Sequence, residues 1–506
     1  MTNYLQRGYI AIQSKNAAEA AHWFEKAVEA DPKDAQAKAC LGQSLCWLGR
    51  RAEGLQFLRQ SGQILAKKAR KTKDVSQLLG LTEQLQHWSD YAGALELGRQ
   101  AVDINRAEVR GFQLLTLTHW RLNQYQQALE TARQAVKLAP ASATLQILLA
   151  TLEAQEKLTN SARKRFERVL QGPLNPEEKF RAHKELGRLL DKVGAYDQVF
   201  PHFHAAGEAS ALLPEVKAQD AALVPNMLRA NRAGFDRQLM SRWTGVQFPA
   251  DQPAPVFLVG FMRSGTTLTQ EVLDAHSQVF VADETDFVSS LYGELHRQVP
   301  GPASTAEKLR TLDESGIRRL RAYYCGLVRA RYGDTLGGRR LVDKTTMNTI
   351  DLGLINCVFP DAHIVFVMRD PRDVCLSCFS QVMIPTPSTV HLLTWEGTAR
   401  FYAQVMEWWA YVKPEMAAPY LEFRYEDAVA EFETTFRRVF EFLDLEWEAS
   451  VAGFHRRAAG KYINSPSFSQ VAQPLYASSV ARWQRYEAEF AAIAPVLAPF
   501  VKDFGY

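Results

Sequence analysis

The sequence predicts an α/β domain with a parallel sheet flanked by helices, preceded by an all-helical repeat array. Three observations lead to this prediction. Small residues recur about every 34 positions in roughly the first 215 residues, which consist almost entirely of helix formers. Short apolar runs of strand character follow in the second half, and several of them end in charged residues. The first of these runs breaks into a glycine-bounded loop that opens a helix, an arrangement typical of P-loop-like folds.

The length and composition indicate a soluble protein with two domains. A chain of 506 residues exceeds what one hydrophobic core usually supports. The 59 basic and 56 acidic residues are too nearly balanced to favour nucleic acid as a partner. The first 15 residues lack the apolar core of a signal peptide, and no later run reaches the ~18 apolar residues of a membrane span. We therefore expect a cytoplasmic protein without a transmembrane segment.

The six cysteines show no metal-ligand pattern with histidines and are predicted to be reduced thiols. Cys375 and Cys378 have the spacing of a redox pair, but their place on a predicted helix favours apolar packing.

The helical repeat is carried by small residues at a fixed phase. Three of the four steps between these residues are 34 residues long, and the step from Gly54 to Ala94 is longer by six, which matches a basic connection at residues 67–73. Small residues let the two helices of a hairpin pack closely, and such hairpins bury their apolar faces only by stacking. The residues of this series are Ala20, Gly54, Ala94, Ala128 and Ala162.

This pattern resembles the tetratricopeptide repeat, and we predict six units. Such arrays present a concave groove to a peptide or to a partner subunit. The sequence leaves three roles open: docking of an acceptor, formation of a homodimer, and scaffolding. The predicted domains are the repeat array at 1–215, a helical linker at 216–250 and the α/β domain at 251–506.

The loop between Gly260 and Gly265 has the chemistry of an anion site. Glycine lets the backbone N–H groups curl inward, and the following helix N-terminus favours negative charge. Thr266 stands where an ATP-binding P-loop has its lysine, and Arg263 supplies a permanent forked charge instead. The loop is predicted to bind a phosphate or sulfate. The predicted contacts are Arg263, Ser264, Gly265, Thr266 and Thr267.

The string P-V-F-L-V-G-F-M-R-S-G-T-T-L resembles the 5′-phosphosulfate loop of sulfotransferases, and it is most similar to that of tyrosylprotein sulfotransferases and their bacterial relatives with tetratricopeptide repeats. The resemblance implies an α/β P-loop-like sulfotransferase domain that uses 3′-phosphoadenosine 5′-phosphosulfate. No metal is expected, since no carboxylate or hydroxyl pattern in the sequence demands one. It favours a tyrosine of a peptide or protein as acceptor, with a glycan, a lipid or a small alcohol as alternatives. Eukaryotic members of that family act in a lumen, whereas this chain is expected in the cytoplasm.

Carboxylates follow the next strand candidate, residues 279–282, in the string Asp283-Glu284-Thr285-Asp286. Carboxylates just past a strand of an open α/β sheet lie near the ligand crevice. The resemblance implies that Glu284 is the general base. The alternative is that these residues cap a helix or face solvent.

Two further strands end in basic residues. The strand at 339–345 contains Lys344, which by resemblance acts on the bridging oxygen of the cofactor. The strand at 362–368 ends in Arg369, and the resemblance implies that Arg369 and Ser377 bind the 3′-phosphate. The family often has a basic residue where this chain has Gln381, so one phosphate contact is absent or replaced. Asp370 and its neighbouring arginines could also form an ion pair that only holds the turn.

Three more residues are assigned from the resemblance alone. Tyr425, in a string similar to the family's R-Y-E-D, would help hold the nucleotide. Ser467 would touch the sulfuryl group, and Arg482, just before Trp483, would bind the nucleotide. Two rival functions remain at this point, a P-loop kinase and a non-catalytic repeat scaffold.

Overall fold

The computed structural model describes residues 2–14, 16–458 and 479–506. Its internal contacts divide the chain into two units, Met1–Leu189 and Leu190–Tyr506. The limits at residues 215 and 250 stay predictions.

The first unit is built from helices that pack on their neighbours in the chain, as the repeat pattern predicts. None of the helices in the described ranges combines the length and the apolar character needed to cross a membrane. The helices are α1 (Thr2–Gln13), α2 (Ala17–Ala30), α3 (Ala35–Trp47), α4 (Arg51–Thr72), α5 (Ser76–His87), α6 (Tyr91–Ile104), α7 (Val109–Arg121), α8 (Tyr125–Leu138), α9 (Ala143–Gln155), α10 (Thr159–Leu170) and α11 (Pro176–Lys192), the last of which continues past Leu189.

The small residues of the repeat lie where the helices approach each other most closely. Ala20, Ala94, Ala128 and Ala162 are fully buried. A Cβ atom on Gly54 would lie 2.5 Å from the carbonyl oxygen of Gly42 on the preceding helix. Such a distance is too short for any side chain, so the glycine sets the spacing of α3 and α4.

The prediction for the basic stretch at residues 67–73 is wrong. The stretch is not a connection, because α4 runs on to Thr72 and ends at Lys73, whose φ of 63° is left-handed. Lysine, alanine and arginine are good helix formers, so the six extra residues lengthen the helix instead of forming a loop.

The second unit contains a sheet whose strands are all parallel in the described residues. The strands are β1 (Val256–Gly260), β2 (Val279–Asp283), β3 (Arg340–Lys344), β4 (His363–Met368) and β5 (Tyr420–Arg424). Their order in the sheet is β2-β3-β1-β4-β5. β2, β3 and β4 lie where the sequence analysis predicts strands, within one or two residues.

Helices precede, connect and follow these strands. They are α12 (Val199–Ser210), α13 (Pro214–Lys217), α14 (Leu223–Gly234), α15 (Arg237–Met240), α16 (Thr266–Asp274), α17 (Phe287–Gln298), α18 (Thr305–Thr311), α19 (Glu314–Tyr332), α20 (Leu352–Val358), α21 (Pro371–Phe379), α22 (Trp395–Val412), α23 (Tyr425–Ala430), α24 (Phe432–Phe442) and α25 (Phe454–Ala458), followed by helices at Glu487–Phe490 and Ala494–Asp503. The aromatic residues Trp395, Tyr402 and Trp409 of α22 are buried in the core.

The central strand β1 is buried along its whole length because side chains cover both faces of the sheet. Leu258 belongs to a core cluster with Phe436 and Phe440 of α24. Phe257 contacts Tyr324 of α19 and Phe359 on the other face. Burial on both faces explains why these strands read as continuous apolar runs. The parallel arrangement brings the carboxyl ends of all the strands to one edge, where the predicted site residues follow them.

Candidate active site

The loop after β1 is held at its first residue, Gly260. The N–H of Gly260 donates to Oγ1 of Thr349 at 3.0 Å, and that hydroxyl donates to the carbonyl oxygen of Gly260 at 2.8 Å. Arg263 and Gly265 both have left-handed backbones, with φ of 68° and 111°. Two left-handed residues turn the chain sharply, so that α16 begins at Thr266 with its N–H groups at the loop.

The loop fits a phosphate or sulfate group. A Cβ atom on Gly260 would lie 2.7 Å from Oγ of Ser264 and from the carbonyl oxygen of Val367, so only glycine allows this curl. Ser264 is buried, and its Oγ has no hydrogen-bond partner within the ranges that the structure covers. A buried hydroxyl without a partner costs free energy, and an anion in the loop would satisfy it.

Gly265→Ala tests the loop geometry through stability. The added Cβ would meet the ring of Tyr425 at 2.6 Å, and alanine strongly disfavours a φ of 111°. We expect the free energy of unfolding to fall by about 1–3 kcal/mol. The matched control is Gly293→Ala on α17, where a Cβ meets nothing within 4 Å and alanine favours the helix. Chemical denaturation of both variants gives the comparison, and equal stability in the two would contradict the geometry.

Arg369 follows β4 and connects several predicted site residues. Its Nη1 donates to the carbonyl oxygen of Arg263 at 3.1 Å, and its guanidinium lies 4.9 Å from the ring centre of Tyr425. Nε of Arg263 donates to Oγ of Ser377 on α21 at 3.0 Å. Nε of Arg369 is buried without a partner among the described residues. The structure thus brings Arg263, Arg369, Ser377 and Tyr425 together beside the loop.

Asp370 pairs with Arg372 and not with Arg369. Its carboxylate caps α21 by accepting from the N–H of Arg372, and it accepts two bonds from the guanidinium of the same residue, at 2.9 and 2.7 Å. Arg372 in turn lies over the ring of Trp483 at 3.8 Å. The ion pair that holds the turn therefore does not involve Arg369, whose guanidinium bonds the loop at Arg263, donates to the carbonyl oxygen of Ser479 and lies 3.8 Å from the carboxylate of Asp373.

Glu284 and Lys344 form a close ion pair at the ends of β2 and β3. Nζ of Lys344 lies 2.5 Å from Oε1 of Glu284 and 3.1 Å from Oδ1 of Asp283. The lysine side chain is 1% exposed. Burial opposes its charge, but the two carboxylates outweigh that effect and raise the pKa of Lys344 above its ordinary value. The site therefore holds a permanent cation against a carboxylate.

This ion pair is tied to the anion loop by a pair of threonines. Oγ1 of Thr266, the first residue of α16, lies 2.9 Å from Oγ1 of Thr346, two residues after Lys344. Thr349 of the same segment bonds Gly260, as described above. The sequence analysis did not identify Thr346 or Thr349. Several hydroxyl residues directly after the end of a strand could have indicated that this segment contacts the loop. One arrangement thus combines an anion loop, a cation and a carboxylate.

Comparison with protein-family models gives two matches. Residues 255–449 match the model of the sulfotransferase family, and residues 2–34 and 110–142 match that of the tetratricopeptide repeat. Residues 255–449 form a sulfotransferase-family domain. Tetratricopeptide repeats precede it in the chain.

The relatives of this sulfotransferase-domain protein are distant. An uncharacterized protein of Aquifex aeolicus is 27% identical over 80% of this chain and 52% of its own length. The protein-tyrosine sulfotransferase of Drosophila melanogaster is 27% identical over 45% of this chain and 46% of its own length. Protein-tyrosine sulfotransferase 1 of Danio rerio is 25% identical over 48% of this chain and 70% of its own length. The chain thus spans about half the length of the first two.

Asp343 is a buried carboxylate of the sulfotransferase domain that the sequence analysis did not single out. It accepts hydrogen bonds from the hydroxyls of Tyr324 at 2.7 Å, Thr285 at 3.2 Å and Thr345 at 3.4 Å. Burial raises its pKa to about 6. The sequence gives no signal for Asp343, because its partners come from three separate segments of the chain.

The structure shows other partners for Arg482 and does not describe Ser467. The guanidinium of Arg482 pairs with Asp191 at 2.6 Å, and the hydroxyl of Tyr486 donates to the same carboxylate. This pair anchors the segment after residue 479, and no described contact joins Arg482 to the loop. Ser467 lies outside the described residues. The contribution of both to nucleotide binding stays a prediction.

The six cysteines are free of disulfides, in agreement with the predicted thiols. Cys375 and Cys378 are both buried on α21, and burial raises the pKa of each thiol, that of Cys378 to about 12. Thiols of such high pKa are poor nucleophiles, which supports packing over redox chemistry.

Proposed function

We propose that the protein transfers a sulfuryl group from 3′-phosphoadenosine 5′-phosphosulfate to a hydroxyl, with a tyrosine of a peptide or protein as the favoured acceptor. The observation that carries this proposal is the contact of Glu284 with buried Lys344 at the sheet edge where the anion loop lies. A base and a cation are the two groups that such a transfer requires beside an anion site. The nucleotide, when bound, supplies the sulfuryl group.

Glu284 acts as the general base. A phenol titrates near about 10 and an ordinary carboxylate near about 4.3, so the proton moves to the carboxylate only as the acceptor oxygen bonds to sulfur. The backbone positions this side chain, because the N–H of Glu284 donates to the carbonyl oxygen of Lys344 at 2.8 Å. The acceptor proton thus ends on Glu284.

Lys344 stabilises the charge that develops on the departing phosphate oxygen as the S–O bond breaks. A buried ammonium acts strongly there, because little water screens it. Arg263 shares this role from the loop, and Ser467 is proposed to join it.

Arg369, Ser377 and Tyr425 would hold the nucleotide end of the donor. Nε of Arg369 is the buried donor that a 3′-phosphate would satisfy. Since ATP has no 3′-phosphate, this contact favours the sulfuryl donor over a kinase substrate. Thr266 also replaces the lysine that an ATP-binding P-loop has at this position, which is a second argument against a kinase.

The proposal also names the class of acceptor. Two relatives are named protein-tyrosine sulfotransferases, which supports a tyrosine over a glycan, a lipid or a small alcohol. The tetratricopeptide repeats would then dock a peptide acceptor, or pair two copies of the chain. Six unpaired thiols suit a reducing compartment, so a cytoplasmic location is part of the proposal.

The test is transfer of labelled sulfur by the full-length protein. The protein is incubated with the labelled donor and either a tyrosyl peptide library or a crude extract of its own cell. Label should move to a peptide or protein with the wild type and not with Glu284→Ala. Label found only on glycan or lipid would change the acceptor, whereas phosphoryl transfer from ATP alone would refute the proposal.

A further inference from the structure

A set of hydroxyl contacts surrounds the backbone beside the Glu284–Lys344 pair. The N–H of Thr285 donates to Oγ1 of Thr345 at 3.1 Å, and that oxygen also lies 3.1 Å from the carbonyl oxygen of Thr285. The hydroxyl of Thr345 therefore accepts from the N–H of the residue that follows Glu284, and its single proton can turn to that carbonyl or to Asp343. Thr345 itself follows Lys344, so this contact links the two functional residues through their neighbours.

Asp343 lies behind both threonines. Its Oδ1 accepts from Thr285 and Thr345, while its Oδ2 accepts from Tyr324, and the residue is fully buried. A buried carboxylate costs free energy unless hydrogen bonds satisfy it. Each of these donors is a hydroxyl, and a Thr345 hydroxyl that donates to Asp343 turns its lone pairs to the N–H of Thr285. The roles assigned above to Glu284 and Lys344 leave Asp343 without a part in the chemistry.

Glu284 needs such support because its backbone is left-handed, with a φ of 46°. A left-handed non-glycine residue persists only where its surroundings fix it. Glu284 is fixed on one side by the bond from its N–H to Lys344 and on the other by the hold of Thr345 on Thr285.

We infer that Asp343 is a positioning residue, which acts through the hydroxyls of Thr285 and Thr345 to hold Glu284 where it removes the acceptor proton. This inference rests on the proposed function. It concerns proton removal only, and the grip on the nucleotide does not involve Asp343. Loss of this support should therefore slow transfer more strongly to an acceptor whose hydroxyl is weakly acidic than to one whose hydroxyl is already ionised.

The test compares Thr345→Val with Thr345→Ser, which keeps the hydroxyl, and adds Asp343→Asn. The probes are a tyrosyl peptide and the same peptide with tetrafluorotyrosine, whose phenol is largely ionised at the assay pH. We expect Thr345→Val and Asp343→Asn to lower kcat on the tyrosyl peptide by about 10- to 100-fold, as small misplacements of a catalytic group do. The loss on the fluorinated peptide should be several-fold smaller, and KM for the donor should be unchanged. Thr345→Ser should stay near the wild type.

Equal losses on both peptides would mean a general structural effect and would overturn the inference. So would a Thr345→Val variant with wild-type kcat, or losses that follow KM for the donor. If the wild type transfers no sulfuryl group to any acceptor, the proposed function fails and the inference falls with it. If the wild type is active and Asp343→Asn keeps its kcat, the inference is refuted while the proposed function stands.

Discussion

Replacing Glu284 with glutamine should lower kcat on the order of 10²- to 10⁴-fold, the usual contribution of a general base. Glutamine keeps the shape and still accepts a hydrogen bond from Lys344, but it cannot take the acceptor proton. Binding of the desulfated nucleotide should not change, because Glu284 contacts Lys344 and not the loop residues in the described structure. Steady-state kinetics and nucleotide titration measure the two effects separately.

Asp283→Asn is the matched control for this variant. Asp283 also contacts Lys344, at 3.1 Å, so its replacement removes a similar charge from the same cation. We expect it to change kcat less than about 10-fold, since Lys344 keeps Glu284 as its nearer partner and Asp283 takes no proton in the transfer. If Asp283→Asn were the more damaging change, the base would be Asp283.

Lys344→Met should lower kcat by about 10²- to 10³-fold, the loss seen when a preorganised group at a developing charge is removed. Methionine preserves the apolar stem of this buried side chain and removes only the charge. Lys344→Arg should recover part of the rate, because it restores the cation in a different shape. Single-turnover measurement of sulfuryl transfer isolates this step from nucleotide release.

The control for the lysine is Lys413→Met. Lys413 also pairs with a carboxylate, that of Glu422 at 3.1 Å, but lies at the end of α22 away from the described loop contacts. Its replacement should leave kcat within about twofold of the wild type. A fully active Lys344→Met variant would show that the leaving oxygen is stabilised elsewhere.

The sequence predicts the strand ends of this protein well because their signals are local. An apolar run followed by a charged residue marks both the end of a strand and a side chain at the sheet edge, which located Lys344 and Arg369. The glycines of the loop likewise report backbone geometry directly, and Gly265 is left-handed as its place in the loop requires.

Contacts between distant segments could not be predicted in the same way. Asp343 takes its partners from positions 285, 324 and 345, and nothing in the sequence relates these positions before the fold brings them together. Arg482 was assigned by its place before a tryptophan, whereas its charge is paired with Asp191, 291 residues earlier in the chain. The helical conformation of residues 67–72 could not be predicted either. A repeat period shows that extra residues are present, but it does not show whether they form a helix or a loop.

The most direct test of the account is titration of the protein with 3′-phosphoadenosine 5′-phosphate, with adenosine 5′-phosphate and ATP as comparisons. We predict that the first nucleotide binds most tightly, and that Arg369→Met abolishes its advantage over adenosine 5′-phosphate. Arg424→Met, at the end of β5 with its guanidinium held by Asp427, should leave that advantage intact. Tighter binding of ATP, or an advantage of the 3′-phosphate that survives Arg369→Met, would contradict the proposed site.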